Sequence, residues 1–182
     1  EQIISAFNGT KSYPLVLKHD LVAQMPELKK KYLKYANYKE QTIADIFNAE
    51  QLSGAVQQEV TELRSCILVN NGTDPWSLQA LPLAAQLAPM YGIEVADFDK
   101  DGLPDILMAG NFYQSKPEVG RYDASYGIFL KGTGTTRFIA IPAQESGVNL
   151  QGAVRHLVQI QTTKGPVIGV ARNNDRLVFL KY

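Results

Sequence analysis

Cysteine is almost absent from this chain. Cys66 is the only one in 182 residues, which excludes an intrachain disulfide. It lies in the apolar run Ser65-Cys66-Ile67-Leu68-Val69 and reads as a small buried hydrophobe rather than a nucleophile. Histidine is scarce as well. His19 and His156 have no Ser or Cys partner signature beside them, so no nucleophile–base pair is legible. Net charge is missing: Lys+Arg and Asp+Glu stand at 18 each. No global field draws the chain to nucleic acid or to an anionic membrane. No apolar run reaches the length of a membrane-spanning helix. The chain opens at Glu1 rather than Met, as expected of a mature product or a piece of a longer protein. The lack of disulfides leaves a secreted bacterial protein open.

What is present is concentrated in one stretch, Asp97-Phe98-Asp99-Lys100-Asp101-Gly102-Leu103-Pro104-Asp105. An extended backbone alternates its side chains, so Asp97, Asp99 and Asp101 fall on one side. Gly102 can take a positive φ and turn the chain. The Leu103 carbonyl and the Asp105 carboxylate can then close round the same point. Oxygen-only donors at this spacing suit a hard cation, and Ca²⁺ first. Two unit charges about 4 Å apart near a protein surface interact with roughly 4 kcal/mol, so four clustered carboxylates call for a counter-ion. A solvated acidic turn without an ion is the plain alternative. An EF-hand is excluded, because its twelfth position requires Glu and Met108 stands there between strand-like flanks.

The motif Asp-x-Asp-x-Asp-Gly-x-x-Asp between two strands, followed by apolar residues and Gly110-Asn111, resembles the calcium loop of FG-GAP (VCBS) repeats. Such repeats build the β-propellers of integrin α-chains and of many secreted bacterial proteins. The resemblance implies that Asp97, Asp99, Asp101, the Leu103 carbonyl and Asp105 are ligands of a structural Ca²⁺. The wider pattern is similar to the C-terminal part of secreted bacterial VCBS-repeat proteins. It implies an extracellular, periplasmic or cell-surface location.

The remaining chain reads as strands in hairpins, interrupted once by helices. Residues 2–7 and 13–17 flank the turn Asn8-Gly9. Residues 18–60 form a helical insertion. Asp20 is read as one helix cap, Pro26 as the first turn of a helix running to about Ala36, and Asn48 with Gln51 as a third start. Lys29, Lys30, Lys31, Lys34 and Lys39 interleave with Tyr32, Tyr35 and Tyr38. In a neutral chain this reads as a solvated lysine face with tyrosines packed on a neighbouring sheet, not as a nucleic-acid surface. Further strands are expected at 64–70, 76–81, 92–97, 104–109, 125–131, 137–141, 154–161, 166–171 and 176–182. Pro104 to Asn111 is echoed by Pro166 to Asn173. In that second copy Gln159 and Gln161 take the places of Asp97 and Asp99, so it binds no metal.

The expected architecture is therefore mainly β with a small helical insertion: about three four-stranded propeller-type blades, the last incomplete. Blade one is residues 1–17 plus 61–90, with the insertion 18–60. Blade two is 91–152 and blade three 153–182. A β-sandwich of about eleven strands with a helical lobe is the alternative fold. So few blades close no ring, and the expected partner is the remainder of a longer propeller chain or a second copy. The expected role is a binding or scaffolding module, not an enzyme, with a protein or glycan ligand. Candidate contacts are Tyr113, Arg121, Tyr122 and Asp123 on a long connection, and Trp76. A polysaccharide-acting enzyme is the alternative, but Glu94, Glu118, Asp123 and Glu145 show no pairing by spacing. Assembly through open sheet edges is the third class.

Overall fold

The computed structural model describes residues 2–182 and contains two compact units, one ending at Val60 and the other starting at Thr61. Among the described residues the chain is mainly β, with four separate sheets, none closed or curled.

In the first unit β1 (Ser5–Asn8) and β2 (Lys11–Pro14) form an isolated antiparallel hairpin round Gly9. Short helices follow: α1 (Lys18–Gln24), α2 (Ile43–Ile46) and α3 (Ala49–Ser53). Helices this short do not persist alone, and a small core holds α1 and α2. Leu21, Leu28, Tyr32, Ile46 and Phe47 are buried there. The start expected at Asn48 is present as a capping box, in which Asn48 and Gln51 each accept the other's backbone N–H. Thr42 and Asp45 form a second such box at α2, unforeseen from the sequence. Asp20 is not the N-cap residue of α1. α1 starts at Lys18 behind Leu17, and Asp20 sits in its first turn, 3.1 Å from His19.

The helix expected from Pro26 to Ala36 is replaced by two 3-10 turns, Pro26–Lys29 and Tyr35–Asn37. Lys30, Lys31 and Lys34 would stack like charges at helical spacings, which disfavours a continuous helix. Lys31 turns away instead and donates to the Ile46 carbonyl at 3.0 Å. The tyrosines do not lie on a sheet. Tyr32 is buried edge-on to Tyr38, ring centroids 5.3 Å apart, within this unit's own core. Tyr35 is exposed, under the Lys18 ammonium.

The second unit is a stack of sheets. β3 (Cys66–Val69) pairs with β4 (Ser77–Ala80). β5 (Met90–Ala96), β6 (Asp105–Gly110), β7 (Ile128–Gly132) and β8 (Phe138–Ile141) form a four-stranded antiparallel meander. A short helix, α4 (Ala143–Ser146), follows. β9 (Val154–Thr162), β10 (Gly165–Arg172) and β11 (Val178–Lys181) make a three-stranded sheet. The strands expected within 91–152 and 153–182 form a four-stranded and a three-stranded sheet. β1–β2 and β3–β4 are two separate two-stranded sheets.

The meander is covered on both faces, which explains why every residue of β6 is buried. Alternation sends Leu107 and Ala109 into one core with Leu157, Ile168 and Val170 of the three-stranded sheet. Ile106 and Met108 point the other way, into a core with Ile128, Leu130 and Ala85, against which Ile67 and Leu81 pack. Gly92 permits a close approach of β5 to β9: a Cβ there would meet the Leu157 side chain at 2.8 Å.

Register corrects the alignment of the repeat. Ile106 pairs with Val95, and Ile168 with Gln159. Gln159 is therefore the counterpart of Val95, and the counterpart of Asp97 is Gln161. The β9–β10 turn is only Thr163-Lys164, whereas the β5–β6 connection runs over 97–104.

Candidate metal centre

The acidic stretch is the connection between β5 and β6. Ala96 and Asp105 are the last paired residues of that ladder, so the loop is pinned at both ends. Lys100 and Gly102 take positive φ, 65° and 86°. Together they curl the backbone so that its amides point at the carboxylates. Asp97 accepts the N–H groups of Asp101 at 3.0 Å and Gly102 at 2.9 Å, one on each oxygen. Asp99 accepts from Asp101 at 3.2 Å, and Asp101 from Leu103 at 2.9 Å. Asp105 is fully buried. It accepts Phe98 N–H at 3.0 Å and Gly132 N–H at 2.8 Å, which ties the loop to the end of β7.

Asp97, Asp99 and Asp105 converge, each offering an oxygen within 4.8 Å of the others. Two oxygens on opposite sides of a Ca²⁺ ion lie up to about 5 Å apart, so the spacing and the all-oxygen donor set fit a hard cation. Asp101 is not in this group. Its carboxylate lies 2.8 Å from the Lys131 ammonium, which also contacts Asp99. Lys131 and then the Leu103 N–H hold the Asp101 carboxyl below the usual carboxylate range. The same two aspartates push the Lys131 ammonium above its ordinary value. Leu103 enters through its N–H, and its side chain packs beside Gly134.

Lys131 went unnoticed in the sequence because nothing marks it there. It is a strand lysine remote from the loop in sequence, and only the β6–β7 pairing brings β7 beside Asp105. The ammonium places a positive charge where part of the counter-charge was expected from metal alone.

The other candidates lie elsewhere. Tyr113, Arg121, Tyr122 and Asp123 belong to the connection after β6. An isolated bridge joins Phe112 to Tyr122, with N–H···O distances of 2.8 and 2.9 Å. The Arg121 guanidinium lies over the Tyr113 ring, 5.3 Å from its centroid. This connection leaves the end of β6 opposite to Asp105, about 17 Å along the strand at its usual rise. Asn111 anchors it, donating to the Ser125 carbonyl at 2.7 Å and to that of Gly152 at 3.1 Å. Arg155, also unnoticed in the sequence, stacks between Tyr91 and Phe112, 4.3 and 5.6 Å from their centroids. Trp76 is exposed and immediately precedes β4. The sequence candidates thus divide into an acidic loop, a loop cluster at the opposite end of the meander, and a separate tryptophan.

No helix among the described residues is long and apolar enough to cross a membrane. No known protein family, curated protein or solved structure matches this chain.

Proposed function

We propose that this chain is a calcium-stabilised, non-enzymatic binding or scaffolding module of the FG-GAP/VCBS-repeat kind, acting outside the cytoplasm as part of a propeller-like assembly. The observation that carries the reading is the convergence of Asp97, Asp99 and Asp105, with Asp105 buried and bonded to both the loop and β7. An ion held there would fasten the β5–β6 connection to the meander. Its role is structural, because the loop cluster suited to a protein or glycan ligand is at the other end of β6. Tyr113, Arg121, Tyr122 and Asp123 are the proposed contacts there, with Trp76 a separate stacking surface for a sugar.

The test is thermal unfolding in calcium and in excess chelator, on the wild type and on Asp97→Asn. At a hundredfold excess over Kd, a bound ion raises stability by about 2.7 kcal/mol, a shift of roughly 10 °C for a unit of this size. The expected result is that shift in the wild type and its loss in the variant. Equal midpoints with and without calcium in the wild type would leave a solvated acidic loop and overturn the reading.

A further inference from the structure

The tripeptide Asn-Gly-Thr occurs twice, at Asn8-Gly9-Thr10 and at Asn71-Gly72-Thr73. Each sits at the turn of a hairpin, and each glycine takes positive φ, 64° and 72°. Glycine has no side chain to shield its backbone nitrogen, so that nitrogen can attack the side-chain carbonyl carbon of a preceding asparagine. Both asparagines are exposed. Local sequence and exposure therefore do not separate the two sites, but hydrogen bonding does. Asn71 donates through Nδ2 to the Pro75 carbonyl at 2.7 Å and to Ser77 Oγ at 3.2 Å. The Gly72 N–H donates to Asn70 Oδ1 at 2.9 Å. The leaving group and the nucleophile are thus both held. At the other site, no described residue hydrogen-bonds the Asn8 side chain or accepts the Gly9 N–H.

We infer that Asn8 is a site of spontaneous deamidation and that Asn71 is protected from it. The Gly9 nitrogen bonds to Asn8 Cγ, the Cγ–Nδ2 bond breaks, and ammonia leaves with the Gly9 amide proton. Water then opens the resulting succinimide. Attack at Cγ gives aspartate, and attack at the backbone carbonyl carbon gives isoaspartate. Water is the only co-reactant, and nothing is oxidised or reduced. Ring closure requires Asn8 to leave its extended conformation, and β1 opposes this weakly. That strand is exposed along its whole length, adds no residue to the first unit's core, and belongs to a two-stranded sheet. Such a hairpin is marginal by itself and opens locally. Asn8 is the cross-strand partner of Lys11. Aspartate there sets a carboxylate opposite that ammonium, whereas isoaspartate lengthens the backbone at the last paired residue and disrupts the turn. Each half of the contrast is confined to one hairpin, and neither involves the cation.

Incubation of the full chain in mildly alkaline buffer made with heavy-oxygen water, followed by peptide mapping, tests it. The heavy oxygen marks each carboxyl formed during the incubation. Each hydrogen bond that must break before attack slows it by roughly fivefold, so Asn8 is expected to react at least about tenfold faster than Asn71. In denaturing urea the same tripeptide is free at both places, and the two rates should converge. Ser77→Ala removes one anchor of Asn71 and should speed that site several-fold while leaving Asn8 unchanged. Equal rates at the two sites in the folded chain overturn the inference. So does faster loss at Asn71, and so does an Asn8 that stays intact in buffer, whatever it does in urea.

Discussion

The buried carboxylate of Asp105 accepts the backbone N–H of Gly132 at 2.8 Å, so the first residue of β6 holds the last residue of β7. Its other oxygen accepts Phe98 N–H at 3.0 Å. Asp105 thus belongs to the sheet before it belongs to any metal site. Gly132 is needed for this closeness, since a Cβ there would lie 2.2 Å from the Pro104 carbonyl oxygen.

Asp105→Ala is therefore expected to destabilise the second unit in chelator as well as in calcium. Two backbone N–H groups lose a charged acceptor in a buried setting, a cost of roughly 3 kcal/mol. Denaturant titration of the variant under both conditions checks this. Full stability retained in chelator would show that the carboxylate matters to the ion alone.

Lys131→Gln is expected to tighten calcium binding. The ammonium contacts Asp99 and Asp101 and opposes the approach of a second cation. Its removal should raise affinity several-fold, more at low ionic strength, where surface charges are least screened. In chelator the same variant should melt earlier, because Asp99 and Asp101 then repel each other uncompensated. Calorimetric titration and melting measure the two effects, and calcium affinity unchanged at every salt concentration would sink the idea.

Thr42→Ala is expected to loosen the first unit. Loss of an N-cap hydroxyl costs about 1 kcal/mol, and here Thr42 also donates to Asp45 at 2.7 Å. The side-chain and backbone hydrogen bonds from Thr42 hold the Asp45 carboxyl below its ordinary range. A depressed carboxyl stabilises the fold above its unfolded value, near 4, and that contribution is lost as pH falls through the folded one. Hydrogen exchange at α2 should accordingly quicken in acid in the wild type. It should show a smaller pH response in Thr42→Ala.

Much of this was legible from short-range patterns. The Asn8-Gly9 turn, the capping pair Asn48 and Gln51, and the alternating apolar strands each carry their own local signal. The aspartates did too, and Asp97, Asp99 and Asp105 converge. The rest depended on tertiary pairing. Spacing alone groups Asp101 with the other aspartates and cannot reveal the Lys131 ammonium beside it. Gln159 was matched to Asp97 because a comparison at constant offset cannot see that the two turns differ in length. Strand counting says nothing of which strands hydrogen-bond to which, and the pairing into four sheets comes from the fold. Aromatic periodicity does not name the surface on which Tyr32 and Tyr38 pack, which is the first unit's own core.

The contrast between the Thr163-Lys164 turn and the 97–104 connection bears on the order of assembly. Closing a longer loop costs more chain entropy before any contact repays it. The β9–β10 hairpin can therefore form early and without an ion, offering Leu157, Ile168 and Val170 as a template. The β5–β6 pair must wait for that surface or for a cation to draw its aspartates together. Calcium on this view acts as a clock as well as a clamp, and stopped-flow refolding should be slower in chelator than in calcium.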